Sequence, residues 1–317
     1  MQKEVLVHVE HLYRYYGHTL AVEDVGFELA KGEVLGFLGP NGAGKSTTMQ
    51  VISGNLAPTA GQVSIHGIDL LDCPKRAKRE IGYLPEQPPV YRELTVDEYL
   101  TYCARLHRIG RGHIGKAIAN ARERCGLNEV SHRLIGNLSK GYRQRVGIAQ
   151  AILHTPAVVI LDEPTVGLDP IQIREIRALI RELGKEHGII LSTHILPEVQ
   201  ATCNRVQIIH RGRLVFADSI SGLEQRMNAT SLIAGFRAPP EMAVLQQLPG
   251  ISRTEAMSDG RVRIHYTGND PSEVLIEQAV AGRWRLYELS PERRTLEQIF
   301  IELTCSEDTA TAGMETA

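Results

Sequence analysis

The chemistry of this chain starts at GPNGAGKST, residues 39–47. The stretch fits G-x-x-x-x-G-K-[ST], a loop that wraps phosphate oxygens in backbone N–H groups. Gly39, Gly42 and Gly44 let the main chain approach an anion without Cβ clashes, and Pro40, Asn41 and Ala43 fill out the turn. Successive N–H groups and the N-terminus of a following helix supply partial positive charge. Lys45 adds a full charge toward the outer phosphates, Ser46 offers a hydroxyl to Mg²⁺, and Thr47 completes the loop.

A second acidic element, VVILDEP at 158–164, supplies the matching piece. An apolar strand delivers Asp162 to its C-terminal edge, where ligands sit in open α/β sheets. Asp162 is placed to hold Mg²⁺, and Glu163 is free to polarise an attacking water. Together the two motifs define a P-loop nucleotide hydrolase or kinase. No N-K-x-D string for guanine is present, while a small-molecule kinase stays open on these motifs alone.

The elements that must position these residues follow from periodicity. VLVHV (5–9) and AVEDVGFEL (21–29) alternate as strands, and VLGFL (34–38) is a buried strand feeding the glycine turn. A helix is expected from about Lys45, and QVSIHG (62–67) and EIGYL (80–84) read as further strands. Residues 95 to about 135 carry helical spacing, with a break at Gly110 and Gly112. A helix is expected over 171–187, a strand over 188–193, a helix from about Ile195, and a hairpin of 206–210 and 213–217 around Arg211-Gly212. Strands alternating with helices imply a mostly parallel sheet.

LSKGY at 138–142 selects among the P-loop classes. It resembles the signature sequence of ATP-binding cassette (ABC) ATPases, usually LSGGQ. The family order also fits: phosphate loop, helical region, signature, LDEP, GLDP, then the histidine of STH. The resemblance covers roughly residues 1–217. It implies a P-loop cassette with a mostly parallel sheet and antiparallel β and helical subdomains, the helical one over about 95–150. It also implies ATP and Mg²⁺ as ligands, and two cassettes meeting head to tail around shared nucleotide. On this basis Ser139 and Gly141 would touch the γ-phosphate held by a second copy or a sibling cassette. Tyr16, with Tyr15 as the fallback, resembles the aromatic that stacks on adenine. Asp169 of GLDP resembles the loop that communicates across the dimer, and His194 the γ-phosphate contact that orients water and Glu163. The family's glutamine after the strand at 81–84 falls on Glu86 or on Gln87, with Glu86 also a metal candidate. Lys140 and Tyr142 depart from the signature's Gly and Gln.

From about Asp218 the order β-α-β-β-α-β suggests a ferredoxin-like α+β unit over 218–304. A last helix is expected over about 291–304 and a loose tail over 305–317. A dimerisation or regulatory role is expected for this unit.

The totals bound what remains. The 317 residues suffice for two domains, and 43% apolar residues argue for a sizeable core. Lys plus Arg is 35 against 37 Asp plus Glu, a net −2, which disfavours a nucleic-acid binder held by bulk charge. Five scattered cysteines without a CxxC pair speak against disulfides or zinc and for a reduced compartment. No leader-like or bilayer-spanning run is present. Membrane permease subunits are therefore expected to be separate chains. The cassette is expected on the cytoplasmic face of a bacterial membrane. LSKGYRQR, LPEQPPVY and LEQIFIELT resemble exporter cassettes of the drug-resistance and gliding-motility type. The alternative is a soluble ABC ATPase acting on ribosomes or DNA.

Overall fold

A computed structural model describes residues 4–227 and 231–292 of the chain. The chain divides into two compact units, Met1–Ile220 and Ser221–Ala317.

The first unit opens with β1 (Val5–Tyr16) and β2 (Thr19–Ala30), then β3 (Val34–Leu38) and α1 (Lys45–Ile52). Next come β4 (Ala60–Ile65), β5 (Ile68–Asp69), α2 (Pro74–Ala77) and β6 (Ile81–Leu84). Three helices follow, α3 (Val96–Leu106), α4 (Arg111–Cys125) and α5 (Lys140–Ile152). The unit continues through β7 (Val158–Asp162), α6 (Pro170–Leu183), β8 (Gly188–Thr193), α7 (Leu196–Thr202), β9 (Arg205–His210) and β10 (Arg213–Ser219). A further helix, α8 (Ile220–Met227), follows β10.

Two sheets carry this unit. One is antiparallel, in the order β2-β1-β4-β5. The other runs β10-β9-β3-β8-β7-β6, parallel except for the β9–β10 hairpin. The central strands β3, β7 and β8 are buried at every residue, as apolar runs covered on both faces must be. Alternate residues of β7 point to opposite sides. Val158 and Ile160 join a core with Phe37, Met49 and the antiparallel sheet, while Val159 and Leu161 join a core with the helices α3 to α6. Register is thereby fixed, since a one-residue slip would exchange the two faces.

Caps set the helix starts. Thr95 and Glu98 form a reciprocal capping box on α3. Asp169 caps α6 with Pro170 at its first position. The hairpin turn uses Arg211 and Gly212, both with positive φ (46° and 85°), as a two-residue connection of twisted strands requires.

In the second unit, β11 (Ser231–Phe236), α9 (Met242–Gln246), β12 (Ile251–Ala256), β13 (Val262–Tyr266), α10 (Ser272–Ala281) and β14 (Leu286–Glu292) follow one another. The strands pair antiparallel in the order β12-β13-β11-β14, compatible with the expected ferredoxin-like unit. The last strand begins at Leu286, just after Arg283 and Arg285 take left-handed φ values of 55° and 52°. One expectation is corrected here. Pro291 and Glu292, expected to open a helix, end β14 opposite Leu232 and Ser231. An edge strand tolerates a residue without an N–H. The rest of that helix and the tail lie outside the described residues.

Candidate functional site

The loop between β3 and α1 is shaped by Gly44, whose φ is +106°; a Cβ there would sit 2.6 Å from the carbonyl oxygen of Ala21. Only glycine meets both conditions. The helix starts at Lys45 without a side-chain cap, so its first N–H groups face the loop. Lys45 is buried, and its Nζ donates to the carbonyls of Gly39 (2.8 Å) and Pro40 (3.1 Å). The same ammonium lies 3.6 Å from Oε1 of Glu163.

The strand ends bring the acids to this cation. β7 and β8 run parallel with Asp162 opposite Ser192. The next residue, Glu163, takes φ 48° and donates its N–H to Ser192 O at 2.9 Å. Left-handed backbone at a non-glycine residue costs of order 1–3 kcal/mol and is held only where the surroundings enforce it. The turn aims the Glu163 carboxylate at His194, just past the end of β8. Nδ1 of His194 lies 3.0 Å from both carboxylate oxygens.

Asp162 is buried, and that burial pushes its carboxyl above the usual range. The nearby hydroxyls of Ser192 and Ser46 oppose the rise, and the charges of Glu163 and Glu86 add to it. Its Oδ1 has no hydrogen-bond partner. A buried carboxylate oxygen left open beside a serine hydroxyl suits a hard cation. Among the described residues no three His, Cys, Asp or Glu side chains form a cage on their own. A cation here would complete its shell with phosphate and water oxygens, as Mg²⁺ does.

A cavity of about 410 Å³ joins these groups, with Asn41, Lys45, Ser46, Glu86, Glu163 and His194 on its wall. Gly42, Gly44 and Thr47 line it too. Glu86 faces this cavity, whereas Gln87 faces an adjoining hollow. Gly39, Pro40 and Ala43 form the loop behind it. Tyr16 and Tyr15 lie apart from its wall and are exposed, with the Arg14 guanidinium 4.9 Å from the Tyr16 ring centroid.

Ser139, Gly141 and Asp169 are not on that wall. Ser139 caps α5 by accepting from Tyr142 N at 3.3 Å. Asp169 caps α6 by accepting from the N–H groups of Ile171 (2.9 Å) and Gln172 (3.0 Å). Gly141 is buried beneath Gln172, whose side chain would lie 2.6 Å from an added Cβ.

One supporting residue was not legible in the sequence. Glu198, almost fully buried in α7, accepts from Thr165 beyond β7 and from Thr193 of β8 at 2.9 Å. It ties together the loops that carry Glu163 and His194. An acid in the first turn of a short helix is the only local sign of it, and the convergence on it comes from distant segments.

Fold and site together define a P-loop cassette built to hold and cleave a nucleoside triphosphate. The family model described as ABC transporter matches residues 22–166. YdbJ of Bacillus subtilis strain 168, described as an uncharacterized ABC transporter ATP-binding protein, is 33% identical over 95% of this chain and 96% of its own. The bacitracin transport ATP-binding protein BcrA of Bacillus licheniformis is 37% identical over 80% of this chain and 83% of its own. A solved structure described as the ATP binding subunit of an ABC transporter superposes with a TM-score of 0.63 at 34% identity, covering 70% of this chain and 92% of that one. The chain belongs to the ABC transporter family, as an ATP-binding, ATP-hydrolysing subunit.

Proposed function

We propose that this chain powers an exporter, coupling ATP-driven closure of a cassette pair to movement of separate membrane subunits. The observation that carries the catalytic part is Glu163 held at 3.0 Å from His194 and 3.6 Å from Lys45 on the wall of one polar cavity. Among the described residues no helix is long and apolar enough to cross a membrane. The membrane-spanning part of a transporter would then be other chains, with this one on their cytoplasmic face. BcrA is named for bacitracin transport and LnrL of Bacillus subtilis for linearmycin resistance, and a part in resistance favours export over uptake.

The chemistry follows from the geometry. The glycine loop and the N-terminus of α1 bind the phosphates, and Lys45 trades its contacts with Gly39 and Pro40 for the outer phosphates. Glu163 takes up the proton of the attacking water as its oxygen closes on the γ-phosphorus. The bond to the bridging oxygen breaks, leaving ADP and orthophosphate. His194 fixes the Glu163 carboxylate and reaches the γ-phosphate. Ser46, Asp162 and Glu86 are the residues that would hold Mg²⁺, which neutralises phosphate charge when bound. The facing of Glu86 into the cavity supports it, rather than Gln87, in that group. Tyr16 would stack on adenine. Ser139, Gly141 and Asp169, set away from the cavity of their own chain, fit a role toward the nucleotide of a second copy.

The test is Glu163→Gln. Hydrolysis should fall by about 10²–10⁴-fold, the size of a general-base effect, with ATP still bound. Turnover at the wild-type rate would remove Glu163 from the mechanism.

A further inference from the structure

Beside the nucleotide cavity lies a second hollow of about 400 Å³. Its polar lining is Glu86, Gln87, Arg92, Lys140, Arg143 and Gln144. Three of these are cations and one is an acid. Among the described residues, Arg92 and Lys140 form no ion pair, and the Arg143 guanidinium donates to a carbonyl, Leu138 O, at 2.5 Å rather than to a carboxylate. The Lys140 ammonium lies against Gly167, in the space a Cβ would fill.

The decisive group is Gln144, on the inner face of α5. It is 3% exposed, and its Nε2 has no hydrogen-bond partner. Buried amide donors are almost always paired, since leaving one open forfeits its hydration. Here the open donor belongs to a side chain on the wall of a hollow whose charge is mostly positive. That combination suits a small oxyanion, which accepts from guanidinium, ammonium and amide groups together.

The two hollows share Glu86 and Val166 as lining residues. We infer that the second hollow is an orthophosphate site, receiving the product that leaves the nucleotide cavity of the same chain. The inference rests on the hydrolytic reading above only for the origin of the phosphate. The binding site itself stands on Arg92, Lys140, Arg143 and Gln144. A phosphoryl oxyanion could also arrive as the terminal phosphate of a nucleotide held by a second copy, and the test separates the two.

Full-length protein carrying Lys45→Ala, with its phosphate loop disabled, is titrated with inorganic phosphate by calorimetry in the absence of nucleotide. Phosphate should still bind at one site per chain. Adding Arg92→Gln, an exposed position, or Gln144→Leu should weaken that binding about tenfold or more, the scale of a lost charge-assisted or buried hydrogen bond. In protein with Lys45 intact, Arg92→Gln should raise the phosphate concentration needed for product inhibition by a similar factor, with KM for ATP unchanged. The inference is overturned if phosphate binding disappears with Lys45→Ala alone, if it requires nucleotide, or if neither second substitution weakens it. Absence of ATP turnover in the wild type would count against the hydrolytic reading, and the nucleotide-free titration would still decide the site.

Discussion

Lys45 spends its charge on its own loop. Two carbonyls and the Glu163 carboxylate hold the ammonium, and on the proposed mechanism the outer phosphates would replace the carbonyls. Lys45→Ala should therefore weaken ATP binding about tenfold or more, the worth of a charge-assisted hydrogen bond to phosphate, as read by equilibrium titration. Unchanged affinity would mean that the glycine loop alone carries the phosphates. At this scale the sequence was most informative where chemistry is local. Lys45, Ser46, Asp162 and Glu163 sit in short strings whose spacing alone implies their placement. The choice between Glu86 and Gln87 could not be read that way. Which of two neighbouring side chains faces the cavity depends on how the chain turns after β6, a property of tertiary packing. Gln144 and Glu198 were invisible for a related reason: their significance lies in being buried.

Elements decide how rigidly the reacting groups are held. Glu198 joins the loop after β7 to the end of β8, with an Arg177 guanidinium 3.9 Å away. Glu198→Leu should destabilise the protein by about 3 kcal/mol, since it strands buried hydroxyls and a cation, and Glu198→Gln should recover much of the loss. Urea unfolding measures both, and a Leu variant as stable as the wild type would refute the clamp. A second junction joins the C-terminal ends of α3 and α5. There the rings of His107 and His154 stack at 3.8 Å with planes 10° apart. His154 Nε2 lies 3.1 Å from Ile81 O, yet burial pushes its pKa down to about 4, helped by the neighbouring charges of His107 and His187. Burial lowers His107 as well. Below the ordinary value of 6.5 the unfolded chain takes a proton that the folded chain refuses, so stability falls as pH drops from about 6.5 toward 4. At pH 5 the His154 share of that loss is about 2 kcal/mol. His154→Phe keeps a stacked ring without a titrating group. It should shrink the difference in stability between pH 7 and pH 5 by about that amount, and an equal difference would discount the pair. Element types were mostly legible, because buried parallel strands read as apolar runs and helices as 3.6-residue repeats. The start of β14 was not, since nothing in the type of Arg283 or Arg285 announces a left-handed turn.

For the whole molecule the question is what one chain lacks. The cavity that holds Lys45 and Glu163 is furnished from the phosphate loop, from Ala21 of β2 and from residues just past β6, β7 and β8, while Ser139 stands outside the wall. If Ser139 serves a second copy, Ser139→Arg should leave ATP affinity of the single chain unchanged and abolish ATP-dependent dimerisation. Light scattering with and without ATP in the Glu163→Gln background checks this. Dimers forming normally would show that the seam does not pass through Ser139. The packing of Gln172 over Gly141 has its own consequence, because the same residue's backbone N–H is held by Asp169. The start of α5 and the start of α6 are mechanically one part. A partner pressing on either must displace both, so neither can evolve, or be engineered, as an independent module.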